Sequence, residues 1–171
     1  RRTEEYRVYT LSDILDKSVD DILCLHRYRK DRLYVGTTSG LVCVSTEGET
    51  LQADYIGREQ VLSNDMIHGI LEDANGMLWL STNRGLVKFN PDNQLAHTYY
   101  YSGGVQVGEF CDDAYYRCPY TGKLFFGGVD GLVCLNGDVP AFSGHFPDIL
   151  LRQMMVENVP VNLQEQHTPD K

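Results

Sequence analysis

Much that would assign a chemistry is missing from this chain. It has no GxSxG, no phosphate-loop pattern and no HxxH or HxxxH spacing. A nucleophile elbow, a nucleotide cradle and a helical zinc pair are therefore all without a basis. The five histidines (His26, His68, His97, His145, His167) are scattered with no cysteine at ligand spacing, and Cys24, Cys43, Cys111, Cys118 and Cys134 make an odd count. No metal and no cofactor are expected. Basic residues are few, 15 Lys and Arg against 24 Asp and Glu, for a net charge of -9. That disfavours nucleic acid and anionic lipid as partners, because both need basic patches. No apolar run approaches the roughly 20 residues that span a bilayer, so membrane insertion is not expected. Arg1-Arg2-Thr3-Glu4-Glu5 lacks the pattern of a signal peptide. Proline is scarce (6) while 42% of residues are apolar and 11% aromatic, so the chain has the makings of a folded core.

What is present is a repeat. Sliding the chain by 45 residues lays 18–44 on 63–89 without a gap, with identities at Ser18/Ser63, Asp20/Asp65, Ile22/Ile67, Leu33/Leu78, Thr37/Thr82, Gly40/Gly85, Leu41/Leu86 and Val42/Val87. Tyr34 falls on Trp79. A slide of 46 puts Gly122 on Gly76, Leu124 on Leu78, Phe125 on Trp79, Gly131 on Gly85, Leu132 on Leu86 and Val133 on Val87. Each copy reads as short strands separated by Asn- and Gly-containing turns. A period of roughly 40 to 50 residues with about four strands per unit marks β-propeller blades. The expected fold is all-β, with about three four-stranded antiparallel meanders near 18–55, 63–101 and 109–138, too few to close a ring.

In chain order, 5–10 (EYRVYT) alternates and reads as a stray outer strand. Residues 11–25 carry apolar side chains at helical spacing, with Ser12 or Asp13 as candidate N-cap. The repeat overrides that reading and leaves at most a helical turn near 11–16. The first blade is read as 22–28, 32–36, 41–45 and 51–55, the second as 67–73, 77–81, 86–89 and 95–101, the third as 110–118, 123–126 and 132–135. Cys43 and Cys134 share one slot, which Lys88 fills in the central copy, and read as buried free thiols. Residues 139–147 read as a linker, 148–163 as one or two extended segments with a turn near Asn158, and 164–171 as a polar tail.

The segment LEDANGMLWLSTNRGLVKFNP resembles the two-component regulator propeller repeat, through Leu78-Trp79-Leu80, Thr82, Gly85-Leu86 and Phe89-Asn90-Pro91. Gly108-Glu109-Phe110, Ala114, Gly122, Leu124-Phe125-Phe126-Gly127-Gly128 and Gly131 resemble the last blade of such sensors, with Cys111 where Asn is usual. The resemblance implies the extracytoplasmic, periplasmic sensor region of a hybrid two-component system of the kind found in gut Bacteroidetes. It implies the last propeller blades followed, at 148–171, by the opening strands of an immunoglobulin-like, β-sandwich domain and the tail. Such sensors detect polysaccharide-derived oligosaccharides and relay the signal through domain or dimer rearrangement. The kinase would lie elsewhere in the protein, so no enzyme activity is expected of this chain.

Ligands of propellers generally meet the face built from the connections into each inner strand and the turn between second and third strands. That places Asn64, Asp65, His68, Asn83, Arg84, Glu109, Asp112 and Asp130 as candidate ligand-binding residues, all of types that hydrogen-bond sugar hydroxyls or pair with carboxylated sugars. Each also suits a solvated rim. No catalytic residue is assigned. Glu72-Asp73 and Asp112-Asp113 are the carboxylate pairs that glycosidase chemistry would draw on, but the first also suits a turn. Tyr99, Tyr100, Tyr101, Tyr115 and Tyr116 suit either sugar stacking or packing. Alternatives to a sensor are a carbohydrate-active propeller lyase or hydrolase and a dimerisation scaffold. Because three blades leave apolar faces and strand edges bare, the chain is expected to form a homo-oligomer or to pack with missing blades.

Overall fold

The structure, a computed structural model, describes residues 6–19, 21–48, 50–58, 62, 64–100, 105, 107–136, 154–156 and 159–161. It divides into two units, Arg1–Val139 and Pro140–Lys171. The first holds three antiparallel sheets whose strands lie side by side in chain order. Sheet 1 comprises β1 (Ile22–Tyr28), β2 (Arg32–Thr37), β3 (Leu41–Ser45) and β4 (Gln52–Ile56). Sheet 2 comprises β5 (Ile67–Glu72), β6 (Leu78–Thr82), β7 (Gly85–Phe89) and β8 (Ala96–Tyr99). Sheet 3 comprises β9 (Phe110–Arg117), β10 (Leu124–Gly128) and β11 (Gly131–Leu135). It has three strands among the described residues where four were expected; the place of a fourth lies beyond Asn136, outside them. In the second unit β12 (Met154–Val156) pairs antiparallel with β13 (Val159–Val161). The linker at 139–147 and the tail at 164–171 lie outside the described residues.

The turn between second and third strands shows why the repeat keeps its threonine and glycine. Thr82 Oγ1 donates to the carbonyl of Gly85 at 2.9 Å and accepts from the amide of Arg84 at 3.0 Å. Thr37 does the same with Gly40 and Ser39, at 2.8 and 3.0 Å. Gly40, Gly85 and Gly131 have φ of 146, 110 and 155°, where a side chain is strained. At Gly85 a Cβ would also collide with the carbonyl of Tyr99 on the neighbouring strand.

The turn between β5 and β6 is fastened differently. Asp73 is buried at 3% exposure. Its Oδ1 accepts from the amides of Asn75 and Met77 at 2.9 and 3.0 Å, and its Oδ2 from Trp79 Nε1 at 3.0 Å. Lys88 Nζ stands 3.9 Å from the same Oδ2 and 5.2 Å from the centre of the Trp79 ring. A buried carboxylate persists only when its oxygens are satisfied in this way.

The sheets pack face to face. Tyr34, Leu41 and Tyr28 of sheet 1 share a core with Ile67, Ile70, Leu78, Leu80 and Phe89 of sheet 2. Leu71, Trp79 and Leu86, on the opposite face of sheet 2, share another with Phe110, Leu124 and Phe126 of sheet 3. Sheet 2 is thus covered on both sides, and every residue of β6 and β7 is buried. The remaining face of sheet 1 (Val35, Val42, Val44) is covered by Leu11, Leu15 and Val19, which belong to α1 (Leu11–Leu15) and the chain after it.

Three expectations need correction. Residues 6–10 form no strand; they run uncovered into α1, with Tyr6 and Val8 exposed. Alternation marks a segment able to pair, but a strand needs an edge within reach. The residue capping α1 is Thr10, without a side-chain hydrogen bond, not Ser12 or Asp13. Ser12 Oγ instead accepts from the amide of Val19 at 3.0 Å and donates to its carbonyl at 3.2 Å, tying the helix to the chain that follows. Cys134 is exposed rather than buried, and Cys43 only half-buried; all five cysteines are free.

Replacing Asp73 with Ala should lower the unfolding free energy by about 3 kcal/mol, since three donors and a buried ammonium lose their acceptor. Glu72→Ala, which removes a partly exposed partner of His26, should cost less than about 1 kcal/mol. Urea titration of the two variants checks this; equal losses would show that Asp73 is not the fastener of the turn.

Candidate functional site

All three inner strands are irregular near their beginnings. In sheet 1, Ile22 opposes Thr37 and Cys24 opposes Gly36, which leaves Leu23 as the extra residue. In sheet 2, Ile67 opposes Thr82 and Gly69 opposes Ser81, so the extra residue is His68. Sheet 3 departs furthest. Gly128 pairs with Phe110 and Phe126 with Tyr115, so the stretch between 110 and 115 bows out of the ladder, with Asp113 at φ 58°. Bulges of this kind re-aim side chains. The repeat thus places an out-turned residue at the same end of each sheet. Sheet 1 offers only Leu23 there, whereas sheets 2 and 3 offer His68 and Asp112.

Those two meet. His68 Nδ1 lies 2.6 Å from Asp112 Oδ1, and Nε2 lies 2.6 Å from Asn83 Oδ1. Asn83 sits in the β6–β7 turn, and its Nδ2 points at Met66 Sδ, 3.2 Å away. The His68 side chain is 7% exposed and that of Asp112 is 59% exposed. The ring donates to both oxygens only when doubly protonated. A neutral ring donates to one and requires the Asn83 amide to turn its NH₂ toward the other nitrogen. Both ring nitrogens are engaged by an amide and a carboxylate, so in this arrangement the histidine holds no hydroxyl or thiol nucleophile.

Behind the triad neighbouring sheets come very close, sheet 3 to sheet 2 and sheet 2 to sheet 1. A Cβ at Gly69 would collide with the ring of Tyr115, and Cys24 Sγ approaches the carbonyl of Ile67 at 3.6 Å. Burial pushes the Cys24 thiol up to about 12, with the nearby Asp112 and Asp113 carboxylates adding to it. Burial likewise raises the Tyr115 phenol, helped by Cys24 and Asp113. Cys24 is therefore an inert core residue.

Of the eight candidate residues, the structure joins His68, Asn83 and Asp112. Asn64 and Asp65 serve the loop before β5: Asn64 Oδ1 accepts from the amide of Met66 at 3.0 Å, and Asp65 Oδ1 from the amide of Arg58 at 2.7 Å. Arg84, Glu109 and Asp130 are exposed. Asp130 lies in the β10–β11 turn and lines an open pocket of about 450 Å³ together with Val105, Val107 and residues of β11. The amide of Val129 donates to the carbonyl of Glu109 at 3.1 Å, which ties β9 to that turn. Met66 was missed by the sequence reading, since a thioether carries no pattern. Of the tyrosines, Tyr99 stacks on Trp79 at 5.4 Å, while Tyr116 is exposed beside Phe125; Tyr101 lies outside the described residues. Among the described residues no group of three or more His, Cys, Asp or Glu could hold a metal ion.

His68 and Asp112 belong to different sheets, so their bond contributes to the contact between them. A double-mutant cycle with His68→Ala and Asp112→Ala should give a coupling energy of about 1 kcal/mol in unfolding experiments. Arg84→Ala should stay within about 0.5 kcal/mol of the unaltered chain. Additive losses in the cycle would mean that the pair is geometric only.

Comparison with known proteins agrees with this architecture. Residues 61–84, which include the loop before β5, the Asp73 turn and Asn83, match the family described as two component regulator propeller. A curated relative, Histidine kinase P4 of Formosa agariphila, is 30% identical over 112 residues, covering 66% of this chain and 8% of the relative. The extracellular domain assigned to the hybrid two-component system BT3049 of B. thetaiotaomicron superposes with a TM-score of 0.68 at 24% identity, over 93% of this chain and 22% of that one. The extracellular domain of BT4673 from the same organism gives 0.52 at 20% identity, over 88% of this chain and 19% of that one. The chain therefore spans about a fifth of these solved domains and less than a tenth of the kinase. Among the described residues no helix is long and apolar enough to cross a membrane. Residues 61–84 thus match a two component regulator propeller repeat, and the three sheets share the fold of these solved extracellular domains.

Proposed function

We propose that this chain is part of the extracytoplasmic sensor region of a hybrid two-component regulator, and that it binds a polysaccharide-derived oligosaccharide at the end of the sheets where His68, Asn83 and Asp112 meet. The observation that carries the reading is the bridge from His68 of sheet 2 to the largely exposed Asp112 of sheet 3. The carboxylate is held at one oxygen and lies open to solvent, and a carboxylate has lone pairs enough to accept ligand hydroxyls as well. Asn83 and the exposed Arg84 stand in the adjoining turn, where amide and guanidinium groups suit hydroxyl and uronate recognition. The relatives whose extracellular domains share this fold support a sensing rather than a catalytic role.

Signalling needs a ligand that prefers one arrangement of the protein over another, since tight binding to both shifts nothing. A sugar that takes over the Asp112 contact competes with His68 and loosens sheet 2 from sheet 3. One that bridges the two side chains tightens them. Either way the ligand acts on sheet-to-sheet contact, and the rearrangement passes to the domains and protomers beyond it.

Calorimetric titration with a panel of neutral and acidic oligosaccharides tests this. One glycan class should bind, and Asn83→Ala and Asp112→Ala should each weaken it at least about tenfold. Binding that ignores both substitutions, or no binding by any glycan, overturns the assignment of the site. Cleavage of the bound glycan during the titration would replace the sensor reading with an enzymatic one.

A further inference from the structure

The hydrogen bonds around His68 have a direction that can be followed from one end to the other, and it begins at Met66. The β6–β7 turn holds the backbone on either side of Asn83, so the freedom left to that side chain is which way its amide faces. One end of the amide meets His68 Nε2 at 2.6 Å and the other meets Met66 Sδ at 3.2 Å. A thioether accepts a hydrogen bond and has none to give. With the NH₂ toward the sulfur, an N–H is received there. With the amide turned round, a carbonyl oxygen faces the sulfur with no hydrogen between them. Met66 is itself anchored, since its backbone amide donates to Asn64 Oδ1 at 3.0 Å.

Once the NH₂ is committed to Met66, the Asn83 carbonyl oxygen faces the ring, and it can only accept. On the other side Asp112 Oδ1, 2.6 Å from Nδ1, can only accept as well. Two acceptors at hydrogen-bond distance from two ring nitrogens require a proton on each. We propose that Met66 is a positioning residue of this site: by orienting the Asn83 amide it makes the bridge between sheets 2 and 3 depend on a doubly protonated His68, and so on pH. The charge of that ring is paired, since Asp112 touches it and Asp113 follows in β9. The ionisable groups packed behind it do not change over histidine's range. Burial pushes the Cys24 thiol of β1 up to about 12 and raises the Tyr115 phenol of β9. In the adjoining loops Asp65 accepts from the amide of Arg58, and Arg84 is exposed. When the ring gives up one proton, either Asn83 turns away from Met66 or Asp112 is released, and Met66 weights that choice against Asp112. The meaning for a ligand rests on the reading above: a glycan that competes for Asp112 meets a weaker rival as the pH rises.

The test uses the full 171-residue chain and needs no ligand. The His68–Asp112 double-mutant cycle is run in urea at about pH 5.5 and about pH 8.5, on either side of histidine's ordinary range and above that of carboxylates. The coupling should be at least about twofold larger at the lower pH. Met66→Leu keeps an apolar side chain of similar volume and removes the acceptor. The amide is then free to turn, a singly protonated ring keeps both partners, and the coupling should be equal at the two pH values. Adding Asn83→Asp to Met66→Leu should restore the dependence, because a carboxylate accepts from the ring whichever way it faces. Nitrogen shifts of the ring at the higher pH should place its remaining proton on Nε2 in the unaltered chain and on Nδ1 in Met66→Leu. A coupling indifferent to pH in the unaltered chain overturns the proposal, as does a dependence that Met66→Leu leaves intact. A proton on Nδ1 in the unaltered chain at the higher pH also overturns it. These outcomes are separable from the glycan titration, whose failure would leave them as they are and which would survive theirs.

Discussion

The Asp73 carboxylate is the constraint on which much of this structure depends. One side chain closes the β5–β6 turn by accepting two backbone amides, and it fixes the indole of Trp79 by accepting its N–H. The indole is then a fixed surface. Tyr99 stacks against it from the outer strand, and it shares a core with Leu124 and Phe126 of the next sheet. Lys88, on a strand with no other charge, is tolerated because it stands near the carboxylate and over the ring. Buried polar groups usually weaken a core unless every partner is present. Here the partners come from one turn and two adjacent strands, so they assemble with the hairpin and do not wait for distant parts of the chain.

The sheets themselves are plain, and the chemistry sits where they stop being plain. Regular pairing would send alternate residues of β5 and β9 into the two cores and leave neither at the sheet end. The extra residue in β5 and the bowed stretch of β9 turn His68 and Asp112 toward each other. Sheet 1 has the same irregularity with Leu23 in place, which shows that the backbone feature belongs to the repeat and the side chain to the individual sheet. Propellers can thus hold one frame constant and vary what each blade presents.

The strand order and most boundaries were legible in the sequence, because the threonine and glycine that shape the β2–β3 and β6–β7 turns recur at fixed spacing. Asp73 was legible as a turn residue. Its grip on Trp79 was not, because an indole N–H leaves no periodic trace. His68, Asn83 and Asp112 could be named from topology, but their contact could not, since it hangs on how far β9 bows between 110 and 115. The alternation at 6–10 and the slot of Cys134 misled for a shared reason. Sequence reports what a strand or face is suited to, while burial depends on whether something arrives to cover it. At Cys43 a neighbouring sheet does; at Cys134 none of the described residues does.

Gly69 has a consequence that reaches beyond packing. By leaving out a side chain it gives the ring of Tyr115 a seat against the backbone of the adjoining sheet, one step along the strand from His68. A substitution there would push on an aromatic ring and not on a flexible side chain, so the spacing of the two sheets at this point is fixed by an atom that is missing.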